Sequence, residues 1–311
     1  MGSTSTAVLN FPLTTFAQGF LQDRLAAFAF ARLLVPIVKV SGASGTYKKF
    51  DDRNSFLVVD TQRGLGGTRQ RVQFAATDGT FNCRPHGLEV AVDDHEKALA
   101  GASNISDDLL SQGKVKAMLS IKATAYAARA VSTFLAGVSP VGSRGNWSTN
   151  TIDPIGELDE QLDVLATDVG SSENIKLILS TGAFRTLRGN TLAKSRLSGV
   201  KTAMKLGDLT DMLLLPVEPM IVAASQTVTK PGQATVTKTN ILGAYAILLY
   251  SVPNPTIYDP SAFKCFSTSD ALVESVKTYR DESAASDIHC ADWSEDIQQT
   301  STLSARLLAI T

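Results

Sequence analysis

A surplus of charge of either sign is the first thing this chain does without. Its 311 residues carry 29 Lys and Arg against 30 Asp and Glu, a formal net charge of -1. The broad positive field of a dedicated nucleic-acid binder is therefore missing. Cysteine is scarce as well: Cys83, Cys265 and Cys290 are odd in number, far apart and outside any CxxC or zinc-ligand spacing. That argues against a disulfide framework and a structural metal, and points to a reducing compartment. Long apolar runs are absent too. The most apolar stretch, Phe20 to Val40, is broken by Asp23, Arg24, Arg32 and Pro36, so it cannot supply the ~20 apolar residues of a membrane span.

Catalytic signatures are equally thin. Asp93-Asp94-His95-Glu96 is the densest cluster of ionisable groups, but its spacing fits no metal motif and no second cluster completes it, so an acidic, solvated helix start is the simpler reading. His289 beside Cys290 would point to opposite faces of a strand. Gly64-Leu65-Gly66-Gly67 lies between two strand-like runs with no helix start behind it to hold a pyrophosphate. Gly113-Lys114 lacks both the upstream glycine and the following Ser or Thr of a phosphate loop, there is no GxSxG elbow, and only three histidines are available as bases. The sequence assigns no catalytic, cofactor-binding or metal residue, and no cofactor.

What is present is a globular balance, 44% apolar and 19% charged, in a chain longer than one hydrophobic core usually supports. Residues 1–19 are Ser/Thr-rich and uncharged. Leu21, Leu25, Phe28 and Leu33 then recur at helical spacing until Pro36. From Ser41 to His86 two β-prone runs, SFLVVDTQ and RQRVQFAA, flank the glycine-rich turn and predict a long, polar, arginine-bearing hairpin that needs a partner surface. Ser106 with Asp107 and Asp108 opens a helix whose apolar residues recur at three and four to Gly137, roughly 40 Å of helix. Tyr126 and Phe134 are its candidate core rings. After VGSRGNWSTN, Asp153-Pro154 starts a second unit with a helix over 155–169, a strand at 175–179, a helix at 182–187, and strands in LLLPVEPMIVAA and AYAILLYSV. From Phe266 the chain reads as strand, hairpin, strand and a closing strand expected to return and pair with the first unit.

Five segments in this order resemble one family. FARLLVPIVKVSGASGTYKKFD, FNCRPHGLEVAVDDHEKA, NWSTNTIDPIGELDEQLDVL, SENIKLILSTGAFRTLRGN and SVKTYRDES are similar to successive passages of tailed-bacteriophage major capsid proteins of the Hong Kong 97-like fold. The resemblance implies an α+β chain with an N-terminal arm and short helix (1–40), an extended-loop hairpin or E-loop (41–86), a peripheral domain (87–154 and 265–311) with a spine helix at about 106–137, and an axial domain (155–264). It implies hexameric and pentameric capsomers closing an icosahedral head around double-stranded DNA, with only weak non-specific contact to that DNA. Portal and scaffolding proteins, and a decoration protein, would be the other partners; assembly would take place in the host bacterial cytoplasm and the product would be a virion, with no membrane involved. Arg63, Arg69 and Arg71 would be the contacts that the E-loop makes with a neighbouring copy. Some members link a loop lysine to an asparagine of another copy, but neither Lys48 nor Lys49 lies in a matching motif. An encapsulin-like nanocompartment shell keeps the same fold; a soluble cytoplasmic hydrolase built on Asp93 to Glu96, or a monomeric binding module using the basic hairpin, would not.

Overall fold

The computed structural model describes residues 7–27, 29–49, 62–63, 65, 67, 69, 77–142, 144–197, 203–226, 237–269, 273 and 275–311, with the backbone alone for 21–27. The first core forms around the long helix. After helices α1 (Phe11–Ala27) and α2 (Ala29–Leu34) and the short α3 (Asp94–Ala102), helix α4 spans Asp107–Gly137. Ser106 Oγ accepts the Leu109 N–H, and Asp107 and Asp108 place negative charge at the positive helix end. Val115, Met118, Leu119, Lys122, Ala123, Tyr126, Ala127, Ala130, Val131 and Phe134 are its buried residues, a stripe of three- and four-residue steps that faces one side.

That stripe packs on a six-stranded sheet whose longest member is β13 (Ser286–Gln299). Strand β5 (Arg84–Asp93) and strand β12 (Ser275–Asp281) pair with it antiparallel, β11 (Phe263–Ser267) continues along its far end, and β2 (Ile37–Lys39) lies parallel to β11. The two-residue β1 (Val8–Leu9) closes the β12 edge. Asn10 then accepts the Leu13 N–H and its own N–H reaches Val276 O, so α1 starts against the sheet.

The second core surrounds a four-stranded sheet in the order β14 (Ala305–Ala309), β10 (Tyr245–Tyr250), β6 (Ile175–Ser180), β7 (Pro219–Val222). Its two central strands are buried along nearly their whole length, as continuous apolar runs require when both faces are covered. Helix α5 (Pro154–Val169) covers it with Ile155, Leu158, Leu162 and Leu165. Asp153 caps that helix, Pro154 occupies its first turn, and Gly170 ends it at φ 71. Helices α6 (Thr181–Gly189), α7 (Thr191–Ser195) and α8 (Leu206–Met212) complete the layer.

The end of the chain corrects one expectation. The sequence places the closing strand with residues 265–311 in the peripheral unit, but β14 pairs with β10, in register Ile247↔Leu307, inside the second sheet. Its alternation supplies Leu307 to one core and Leu308 to the other, so the last strand ties the two units together. Gly145, at φ 93, lets the chain pass against Ala309, where an added Cβ would collide with the Ala309 carbonyl.

Candidate assembly surfaces

The hairpin read from the sequence has a visible root. Strands β3 (Ser44–Lys48) and β4 (Asp78–Asn82) pair antiparallel from Ser44↔Asn82 to Lys48↔Asp78, and Lys48 and Asp78 close the last rung at 2.5 Å. Register is set by rings lying over glycines: Gly45 is opposite Phe81 and Gly79 is opposite Tyr47, and a Cβ on Gly45 would stand 2.7 Å from the Phe81 ring. A small core of Val38, Val40, Tyr47, Phe81, Cys83 and Phe266 anchors this root. Phe81 stacks on Phe266 at 4.5 Å between centroids, Tyr47 Oη donates to Gln299 O at 3.1 Å, and the Asn82 N–H reaches the Asp296 carboxylate at 2.7 Å. The root is therefore fixed to β11 and β13. Arg63 and Arg69 are exposed; Arg71 and most of both β-prone runs lie outside the described residues.

The acidic cluster resolves into caps and ion pairs. Asp93 is the N-cap of α3, accepting the His95 N–H at 2.7 Å, while Glu96 accepts the Asp93 N–H in return. Asp94 is held by Arg280 and Lys97, Lys97 also meets Asp287 at 2.5 Å, and Lys114 of α4 grips Glu96 at 2.8 Å. Hydrogen bonds from Arg280 hold the Asp94 carboxyl well below the usual range, and Lys97 does the same for Asp287. His95 is exposed, and Asp94, Glu96 and Lys97 tie α3 to β12, α4 and β13 without converging on a common point. Among the described residues no group of three His, Cys, Asp or Glu side chains is placed to hold a metal.

His289 and Cys290 point to opposite faces of β13. His289 is buried with Nδ1 2.9 Å from Thr278 Oγ1, and Cys290 Sγ approaches Lys277 O. Burial pushes the thiols of Cys83, Cys265 and Cys290 up, which disfavours the thiolate a nucleophile needs. Tyr126 and Phe134 are fully buried; Tyr126 Oη donates to Val35 O at 2.9 Å, and Phe134 meets the Phe263 ring at 5.0 Å.

A junction that sequence reasoning did not assemble lies where α4 hands over to the second unit. Glu157 Oε2 accepts the Trp147 indole N–H and the Gly145 N–H, both at 2.9 Å. Asn190, 2% exposed, donates to the carbonyls of Trp147, Thr149 and Ile152 and accepts the first N–H groups of α7. Trp147 and Asn190 stand in two separate segments of the resemblance, and the only signal joining them is their shared presence there. Exposed apolar side chains include Val8, Phe11, Leu109 and Ile121, at 58–71% exposure.

No protein-family model matches the chain, and no curated protein matches it in sequence. Solved structures do. A phage-related protein from Bordetella bronchiseptica RB50 superposes with a TM-score of 0.71 at 19% identity, over 97% of this chain and 97% of that one. A putative prophage capsid protein from E. coli CFT073 gives 0.56 at 13% identity, over 99% and 100% of the two chains. The chain has the phage capsid fold. A protein of the cyanophage P-SCSP1u capsid shares that fold at a TM-score of 0.55 and 11% identity, over 89% of this chain and 86% of that one. The fold is an α+β arrangement. No described helix is long and apolar enough to cross a membrane.

Proposed function

We propose that this chain is the major capsid protein of a tailed phage, a non-catalytic building block of an icosahedral head around double-stranded DNA. The observation that carries this reading is the match of the capsid fold over essentially the whole length of the chain and of its structural neighbours. The hairpin fits the role: its root is locked to the body of the molecule, and the polar, arginine-bearing part beyond Lys48 and Asp78 has a second copy of the chain as its natural partner. In this reading residues 1–40 form an arm, 41–86 the E-loop that reaches a neighbouring copy through Arg63, Arg69 and Arg71, and the two cores the peripheral and axial domains. Capsomers are hexamers and pentamers. Portal, scaffolding and decoration proteins are its further partners, the DNA is touched weakly, and the product is a virion assembled in the bacterial cytoplasm.

A nanocompartment shell uses the same fold, but two of the neighbours named above are a putative prophage capsid protein and a cyanophage capsid protein, which favours the phage head. A hydrolase built on Asp93 to Glu96 is disfavoured by the commitment of those carboxylates to capping and ion pairing. Size-exclusion chromatography and negative-stain microscopy of the expressed chain test the reading. Closed particles or capsomers are expected; a strictly monomeric protein under all salt and concentration conditions would refute it.

A further inference from the structure

The corner between α3 and α4 exposes aliphatic side chains on a rigid frame. Leu99 of α3, Ile105 of the connecting turn and Leu109 of α4 are 57%, 40% and 58% exposed. The turn between them is closed by hydrogen bonds: the Ser103 and Ile105 N–H groups both donate to Ala100 O at 2.9 Å, and the Asn104 N–H reaches Gly101 O at 3.1 Å. Asn104 takes the left-handed backbone at φ 56, and Lys114 of α4 grips Glu96 of α3. Scattered exposed leucines are ordinary, but aliphatic groups gathered on a fixed corner mark a contact surface. Asp107 and Asp108, both exposed, stand between Ile105 and Leu109 in the chain. Asp94 and Glu96 are committed to Arg280, Lys97 and Lys114, whereas Asp107 and Asp108 meet no cation among the described residues.

The segment between β3 and β4 carries the inverse pattern. Arg63, Leu65 and Arg69 are exposed, Leu65 completely, so one aliphatic side chain is flanked by two cations where the corner flanks aliphatics with two carboxylates. Both patches are exposed in the same chain, and therefore do not meet within one copy. They also spring from opposite ends of one sheet. The β3–β4 root is bonded to Asp296 and Gln299 at the end of β13, while α3 leaves β5 at Asp93, which pairs with Ser286 at the beginning of β13. The fourteen residues of that strand, at about 3.3 Å each, set those ends roughly 45 Å apart. A contact between two different patches on identical chains is head-to-tail, and a head-to-tail contact generates a ring when its rotation closes.

We propose that the α3–α4 corner of one copy receives Leu65 of a second copy among Leu99, Ile105 and Leu109, with Arg63 and Arg69 of that second copy set against Asp107 and Asp108. The proposal rests on the capsid-protein reading and adds to it the surface that the hairpin segment meets. A second copy is the occupant because this chain itself carries both halves of the match, in charge and in apolar character. One exposed ion pair of this kind is weak and screened by salt. Around a ring each copy gives one contact and receives one, so weak contacts accumulate.

Cysteine cross-linking of the assembled full chain tests the contact. Particles of the Leu65→Cys, Leu109→Cys double variant, oxidised with copper phenanthroline, should run as a ladder of covalent oligomers on a denaturing gel. Either single variant should stay at background, because Cys83 and Cys265 are buried and Cys290 is half-buried. Charge reversal reports independently should the cysteine variants fail to assemble: Arg63→Glu with Arg69→Glu should lose particles, and adding Asp107→Arg with Asp108→Arg to the same chain should restore them. Normal particles with no ladder overturn the proposal and leave the capsid-protein reading standing. So does a ladder from Leu65→Cys paired with Leu214→Cys, the exposed leucine of the second unit, in place of Leu109→Cys, and so does charge reversal that the aspartate changes do not rescue. A wild-type chain that stays monomeric under all conditions overturns both.

Discussion

Asn190 offers a sharp test of how the two units are joined. Its Nδ2 group donates at 3.0–3.1 Å to three backbone carbonyls of the 147–152 loop, and its Oδ1 accepts from Leu192 N at 2.8 Å and Ala193 N at 3.2 Å. Asn190→Ala removes the cap, worth about 1 kcal/mol, and strips the buried Trp147 carbonyl of a donor, worth about 1–3 kcal/mol when no water can replace it. The Thr149 and Ile152 carbonyls are only partly buried and add less, so the expected cost is about 2–4 kcal/mol. Asn190→Asp separates the two roles. It is isosteric and preserves the acceptor for α7, but it aims a carboxylate at three carbonyl oxygens in a site that is 2% exposed. It should therefore cost at least as much as alanine, even though aspartate is an excellent N-cap. Differential scanning calorimetry at one scan rate is the assay, with melting lowered by roughly 5–10 °C in both variants. If the Asn190→Asp protein melts at or above the wild type, the donor half of the junction contributes nothing and the reasoning fails.

Tyr126→Ala and Phe134→Ala should each cost about 3–5 kcal/mol, since both rings are fully buried, and wild-type melting of either would refute their core role. The Asp94, Asp287 and Glu96 carboxyls are all held below their ordinary values by Arg280, Lys97 and Lys114; a depressed folded pKa stabilises above the ordinary carboxylate range and is lost as pH falls below it. Melting should accordingly drop below about pH 4, and Arg280→Ala should shrink that acid-dependent fall, which a pH series of thermal melts reads directly. Changing Arg63, Arg69 and Arg71 together to Glu should leave soluble protein with native circular dichroism but few closed particles in negative stain; normal shells in normal yield would show that the E-loop does not clamp neighbouring copies.

The parts of the fold that are legible in the sequence are those with local rules. Ser106, Asp107 and Asp108 announce the start of α4, and the three-and-four rhythm from Val115 to Phe134 announces its buried face. Asp153-Pro154 marks α5, and the apolar runs at 175–180 and 245–250 mark strands covered on both faces. The destination of the last strand is not legible. Alternation in Ala305–Ala309 shows that both sides are covered but not by what, and the choice between two sheets is made by long-range register with β10. Asp93 to Glu96 can be read locally as a helix start, yet Arg280, which holds the Asp94 carboxylate, lies 186 positions away.

The seam under α4 shows why such partners stay hidden. Lys122 stands inside an apolar stripe, so a periodicity argument either overlooks it or counts it as an error, whereas the structure buries it to 1% exposure over an indole ring. Arg129 and Glu295 make the same substitution of charge for packing further along the helix. A helix held to its sheet only by interdigitated aliphatic groups would resist a lateral shift through every contact at once. One held partly by a cation over a ring and by an ion pair can slide by small steps while those contacts stretch, because charge attraction falls off more slowly with distance than close packing does. In this seam Lys122 over Trp293 and Arg129 on Glu295 are contacts of that second kind, set among the close-packed Val115, Met118, Tyr126 and Phe134.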